Sequence, residues 1–564
     1  MPGIADKPAT EADVVVIGCG AGGAACAWEL SRQGVAVTVL EAGPWYDPLK
    51  DYRLHRDDWE RSLFPQPQHR ELKYTFGTMQ KLDSRWDELR SWNHLHGNTN
   101  RSNRRMSGKY HHVRAVGGST LHFTGEAHRM NPRSMRMRSE YGVAADWPLS
   151  YHELEPYYLE AEKLVGVAGS NNEASRPRSA PYPLPPHEPS YASRRLIAGL
   201  EEKGLGWTPN SLAVLSRPYD GRPACNYCGN CNRGCPRLDK GSADITFARK
   251  ALETGKCNIL TETTVMRIEA GSDDRVESVE FIDSTGQRRR IRARAIVVAA
   301  GAIATPRLLL VSAGAAAPDG LGNETGLVGQ NLMETIAWTS SGLHEQDIAS
   351  YRGLPSDIIC WDYNAPNAIP GVIGGCRISP AMAEANLVGP INYAKRVVGG
   401  WGLDHKRNMR RQFGRVLSLG ALGESLPHPG TYVDVDPDTT DEHGLPAARI
   451  NSHLDDMALQ RLQFMAHTVR ELLQAAGVAT IFEEYGSYDF FSSTHVFGTC
   501  RMGDDERTSV VDKHCASHRW RNLFVGDASV FPSSGGGESP SLTIEALAIR
   551  LGRHIRDALA RRDL

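Results

Sequence analysis

The sequence predicts an α/β protein of more than one lobe, and three observations carry that expectation. Residues 12–43 read as strand, glycine-rich turn, helix and second strand. The length, 564 residues, exceeds what one simple core accommodates. Near the C-terminus a two-strand pattern around a Gly-Pro turn (433–451) is followed by helical periodicity over 455–476, ending before Gly477, and again over 542–555.

Composition removes several function classes. Apolar content of 40% and charged content of 23% are ordinary for a soluble globular chain. A net charge of −2 gives no pull toward polyanions, so nucleic acid is not an expected partner. The basic run RRRIRAR (288–294) reads as a solvated strand edge. The most apolar stretch is interrupted by Pro306 and Arg307, so no membrane span is expected. The N-terminus lacks a basic segment followed by an apolar run and a cleavage site, which predicts a cytoplasmic protein, with export alongside a partner subunit left open. Eleven cysteines, an odd number, argue against a disulfide framework. The Pro- and Ser-rich stretch 171–190 reads as a loop between lobes.

The front unit is ADVVVIGCGAGGAACAWELSRQGVAVTVLEAG. Val14 to Ile17 form a short continuous apolar run, the signature of a parallel strand buried on both faces. Gly18 permits a tight turn, Gly20 lets the backbone approach a pyrophosphate, and Gly23 allows close helix–strand packing. The helix that follows offers unpaired N–H groups to phosphate. Glu41, at the end of the second strand, is placed to accept ribose hydroxyls, which points to FAD or NAD.

Further segments decide between these cofactors. RAVGGSTLHFTGEAHR (114–129), DWPLSYHELEPYYLEAEKLVGVAG (146–169), GAIATPRLLLVSAG (301–314), VGQNLME (328–334), THVFGTCRMG (494–503) and NLFVGDASVFPSSGGGESPSLTIEALAIR (522–550) resemble the glucose–methanol–choline (GMC) oxidoreductases. Ala313 stands where that family usually has glycine, and Glu334 or Thr335 where it has histidine. The resemblance implies FAD in a discontinuous Rossmann-like domain made of 10–50, 105–169, 225–335 and 490–564. It implies a substrate lobe with an antiparallel sheet and flanking helices from 51–104, 170–224 and 336–489, and a Cys-rich insertion at 225–236. Gly117, Gly118, Ser119, Val265, Gly526, Asp527 and Thr543 are then expected at the flavin cofactor, beside Gly18, Gly20, Gly23 and Glu41.

Alcohol oxidation needs a base for the hydroxyl proton and an acceptor for the hydride. By resemblance, His495 in H-x-x-G-T is the base, and a neutral imidazole suits that task. The family's second catalytic position, usually Asn or His before Pro, is Ser539 here, with Glu538 beside it. A serine reaches less far, so either Glu538 takes part or another donor comes from elsewhere. The helix 542–555 should point its N-terminus at the flavin, where reduction leaves negative charge. His122 in GGSTLHFT matches a pattern in which pyranose oxidases bond histidine covalently to FAD, while related iron–sulfur sugar dehydrogenases carry histidine there without that bond. Both readings stay open.

CNYCGNCNRGCP places Cys225, Cys228, Cys231 and Cys235 in C-x2-C-x2-C-x3-C spacing. That spacing suits an iron–sulfur cluster, although in ferredoxins the fourth cysteine of such a run serves another cluster. Zinc and free thiols are the alternatives. The expected activity is oxidation of a sugar, glycoside or polyol hydroxyl, with electrons leaving to a cytochrome, a small electron-transfer subunit or another non-oxygen acceptor. An oxidase releasing hydrogen peroxide is the competing expectation.

Overall fold

A computed structural model describes residues 10–52, 74–382 and 385–564. Of the expected substrate-lobe segment 51–104, residues 53–73 lie outside the described residues.

The first sheet has seven strands. Glu11–Ile17 lies parallel to Val37–Leu40 on one side and Arg288–Val298 on the other, with Cys257–Leu260 extending the parallel part. Val14, Val15 and Val16 are completely buried, as a strand covered on both faces requires. Arg288–Val298 plays two roles along its length. Its last residues lie between Glu11–Ile17 and Leu523–Val525, both parallel to it. Its first residues turn outward in an antiparallel meander with Val276–Ile282 and Thr264–Ala270. The basic run therefore sits on a solvated strand, where Arg289, Arg290 and Arg292 pair with Asp283, Glu269 and Glu277.

Three helices matter for the site. The fingerprint helix Ala21–Arg32 packs against the C-terminal helix Ser541–Arg561, which also packs against Tyr151–Val165. The approach is close because Gly552 has no side chain: a Cβ there would lie 2.8 Å from Cγ of Glu29.

The second sheet is antiparallel, in the order Cys376–Pro380, Val416–Gly423, Ile336–His344, Val478–Gly486, Trp92–Asn93, Gly97–Asn98. Helix Asp456–Ala475 lies on it. Asp455 caps its start by accepting from the Ala458 N–H, and Gly477 follows its end with φ of +85°. Leu462, Met465, Ala466, Val469 and Leu473 recur at helical spacing and are fully buried against Trp338, Leu417 and Leu419. Tyr432–Thr440 and Pro446–Asn451 form the expected antiparallel pair, joined through Gly444. Residues 171–190 contain neither helix nor strand. An α/β class with a Rossmann-type sheet and a separate antiparallel sheet is thus what the chain adopts.

Candidate active site

The floor of the site is made of backbone. Gly18 has φ of +93°, and a Cβ there would lie 2.5 Å from the Ala299 carbonyl oxygen. A Cβ on Gly23 would strike the Gly18 carbonyl, and one on Gly22 the carbonyl of Gly526. Gly20 differs, because a Cβ there would meet only Cα of Gly118, at 3.9 Å. The side of Gly20 is open, and no side chain caps the helix that begins after it. That is a cradle for an anion at a helix N-terminus. Glu41 is buried beside it and accepts from the N–H groups of Cys19 and Gly43, each at 2.8 Å. Each carboxylate oxygen keeps a lone pair for a further donor such as a ribose hydroxyl. Burial raises its pKa, opposed by those N–H donors. Val265 lies two residues beyond Thr263, whose N–H donates to the Glu41 carbonyl.

The GGS segment closes against this floor. Gly117 donates to the Cys19 carbonyl at 2.8 Å, and Gly117 and Gly118 both take positive φ, of +97° and +53°. Ser119 Oγ accepts from the Val113 N–H. The short turn Gly118–Leu121 then presents His122, whose Nε2 is buried and has no hydrogen-bond partner. Its pKa is lowered to about 3 by burial, then by the positive charge of Lys240 and by neighbouring histidines including His495. Lys240 is itself buried, and its ammonium donates to the carbonyls of Leu121 (2.9 Å), Phe123 (2.9 Å) and Cys231 (2.7 Å).

On the C-terminal side, Asp527 accepts from the Gly301 N–H (2.8 Å), the Thr305 hydroxyl (2.6 Å) and the Ser529 N–H (2.8 Å). It thereby fastens the turn after Gly526 to the 301–305 segment. The C-terminal helix begins at Ser541 with no side-chain cap, so its first N–H groups remain available. Thr543 in its first turn is bonded to the Tyr158 hydroxyl at 2.8 Å. His495 is half-buried, and burial followed by the Arg377 charge lowers its pKa to about 4, with Glu126 opposing. Its imidazole is neutral at ordinary pH.

Ser539 and Glu538 enter two separate buried networks. Ser539 Oγ donates to Glu126 Oε2 at 2.7 Å, and its N–H donates to His128 Nδ1 at 3.0 Å. His128 must then carry its proton on Nε2, which faces Asn210 Oδ1 at 2.8 Å. Glu126 also receives Ser356 (2.7 Å), Asn210 (3.2 Å) and an ion pair from Arg377. Burial alone would raise the Glu126 pKa, but Arg377, His128 and the two hydroxyls bring it down to about 2. Glu538 Oε1 accepts from Arg176 (2.7 Å), Asn364 (3.0 Å) and the Asn131 N–H (3.1 Å). The hydroxyl proton of Ser539 and one oxygen of Glu538 are thus committed to protein partners.

Glu126, His128 and Arg377 had no place among the residues singled out from sequence. Glu126 and His128 lie inside the GGSTLHFTGEAHR segment, where neither helical nor strand periodicity marks them. Arg377 lies in a stretch without a readable motif.

The cysteine run behaves differently from the flavin-side residues. Among the described residues no three His, Cys, Asp or Glu side chains converge on one metal position. Cys231 is buried with Leu212, Val214 and Leu354, and Cys228 is exposed. Cys225 accepts from the Tyr227 N–H, and Cys235 donates to Asp239 Oδ1 at 3.1 Å. Burial raises the thiol pKa of Cys225 to about 12 and of Cys235 to about 11. As placed, the four thiols do not fit a cluster or a zinc ion. What the run does supply is the Cys231 carbonyl to Lys240, which ties it to the His122 segment.

Comparison with known proteins agrees with this geometry. Residues 110–336 and 427–548 match the two GMC oxidoreductase family models, and residues 13–47 match an FAD dependent oxidoreductase model. The chain is 32% identical to 2-methyl-1,2-propanediol dehydrogenase of Mycolicibacterium austroafricanum, over 97% of this chain and 95% of that one. It is 29% identical to the fructose dehydrogenase large subunit of Gluconobacter japonicus, over 96% of each. The crystal structure of pyridoxine 4-oxidase from Mesorbium loti shares the fold, with a TM-score of 0.62 at 19% identity over 97% of this chain and 99% of that one.

Proposed function

The chain belongs to the GMC oxidoreductases, FAD-dependent enzymes that oxidise alcohols, and we propose that it oxidises a CH–OH group of a sugar, glycoside or polyol and passes the electrons to an acceptor other than oxygen. The observation that carries the reading is His495, a half-buried imidazole that burial and the Arg377 charge keep neutral, together with a buried His122 Nε2 that has no hydrogen-bond partner.

The residues present fit FAD. Gly18, Gly20 and Gly23 with the fingerprint helix would hold its pyrophosphate, Glu41 its ribose, and the 117–122 segment and the Gly526–Asp527 turn its flavin end. When bound, FAD supplies the hydride acceptor. The chain's own part is proton handling and orientation. His495 removes the hydroxyl proton, which requires its neutral form. Ser539 and Glu538 act through the loop they hold: the Ser539 hydroxyl donates a hydrogen bond to Glu126, and Glu538 accepts from and pairs with Arg176. The first N–H groups of Ser541–Arg561 offer positive potential where reduction leaves negative charge. The buried Nε2 of His122 is chemically free to bond the flavin. The substrate class rests on the GGSTLHFT pattern together with relatives named for a diol and for fructose. The latter is named as a large subunit, which favours a partner that receives electrons.

The test is anaerobic reduction by a panel of sugars and polyols, followed by admission of air or of a dye. Flavin bleaching by a polyol, slow reoxidation in air and fast reoxidation by the dye are expected. Rapid reoxidation in air with peroxide release would replace this reading by the oxidase. Acid precipitation separates the two states of His122, since colour retained in the pellet marks a covalent bond.

A further inference from the structure

Eight large apolar side chains are exposed among the described residues, and four of them fall in or beside the segment 391–403. Ile391, Trp401 and Leu403 lie within one segment, and Leu95 sits against Gly399 beside them. Trp401 is 89% exposed and Leu403 64%. Both introduce helix Gly402–Gln412, which buries none of its residues, alone in this among the described helices of eight residues or more. A helix of that length is marginal in water without a packed face.

The helix is attached along one side only. Met409 and the following Phe413 pack against the cluster of Tyr393, Val397 and Val416, with the Phe413 and Tyr393 rings 5.1 Å apart. At about 100° per residue, Leu403, Lys406, Arg407 and Arg410 form one stripe beside that attachment, and Arg411 points directly away from it. All five are exposed. Asp404 is the one acid in the helix and pairs with Arg407 at 3.4 Å. The free surface of the helix is therefore strongly cationic in a chain whose net charge is −2.

We propose that Trp401, Leu403 and the cationic stripe of helix 402–412 dock the folded protein onto an anionic phospholipid surface. An exposed tryptophan and leucine beside a row of Lys and Arg is the composition of a helix lying in a membrane interface: the indole settles at headgroup depth and the cations meet lipid phosphates. Charge complementarity selects anionic lipid, since screening confines the attraction to within about 10 Å and lets the local face outweigh the net charge. The docking is peripheral, and no described helix is long and apolar enough to cross a membrane. It does not depend on which alcohol is oxidised.

The experiment is flotation of the FAD-loaded full chain with phosphatidylcholine vesicles, with and without phosphatidylglycerol, at low and high salt. Binding to the anionic vesicles at low salt is expected, weakened at least about tenfold by K406E/R410E and several-fold by W401S/L403S. Both double variants should retain the wild-type melting temperature and turnover of a soluble substrate. Failure of the wild type to float with anionic vesicles, or binding that survives both variants, would overturn the proposal. So would wild-type self-association in solution that the same substitutions abolish, or capture by polyglutamate without vesicle binding, which would assign the face to a second copy or to an acidic protein.

Discussion

The floor of the site and the wall around Ser539 are built on opposite principles. The floor is glycine and main chain: Gly18, Gly22 and Gly23 hold carbonyls where a side chain would collide, and Gly20 leaves a gap for a ligand. The wall is buried charge: Glu126 with Arg377, Glu538 with Arg176, and a neutral His128 between hydrogen bonds. A floor of this kind tolerates chemistry changes elsewhere but not added atoms. A wall of this kind tolerates small shape changes but not the loss of one charge, because the partner is left ionised in a low-dielectric interior.

The sharpest test removes one charge from the wall. Arg377→Ala strands Glu126 and should cost about 3–5 kcal/mol of stability, read as a lower urea midpoint. A loss below about 1 kcal/mol would mean that the wall is no more demanding than a surface pair. His495→Ala should leave stability nearly unchanged and lower the rate of flavin reduction by about 10²–10⁴-fold, measured in a stopped-flow instrument. Full reduction rate in that variant would remove the base from His495.

Acid should distinguish the two regions next. His128 is held neutral down to about pH 3 in the folded state, against about 6.5 when unfolded. Below 6.5 the unfolded chain binds the extra proton, so stability falls as pH drops, by about 1.4 kcal/mol per pH unit for this group until about pH 3. Glu126, depressed to about 2, keeps its contribution above its unfolded value and loses it as pH falls through 2. Urea midpoints between pH 7 and 4 check the first step, and H128N should flatten the slope. The smallest effect belongs to the floor: Gly20→Ala should change the stability of the flavin-free protein by no more than about 0.5 kcal/mol. Its cost should appear only as weaker FAD binding by titration. If flavin-free stability fell as well, the gap at Gly20 would be a packing position.

Legibility followed the same division. The glycine turns of the fingerprint and of the GGS segment were readable because positive φ or close backbone approach demands glycine at fixed spacing, and spacing survives in a linear string. The wall was not readable, since Glu126, Arg377 and Ser356 are hundreds of residues apart at the extremes and meet only when the two sheets are assembled. Ser539 illustrates the limit: its position beside Pro540 suggested a donor for substrate, and here its hydroxyl donates to Glu126. The cysteine spacing suggested a metal centre, whereas the chain around it places one thiol in an apolar cluster and another in solvent.

By itself the sequence determined the α/β class, the dinucleotide unit and the alcohol-oxidising family, because each depends on local backbone requirements or on motifs read along the chain. Tertiary structure alone decided which buried charges pair, which proton His128 carries, that Lys240 clamps the cysteine run to the His122 segment, and that helix 402–412 stands outward with its cations unburied. Pairing and exposure depend on distances across the folded molecule, and a linear pattern does not encode them.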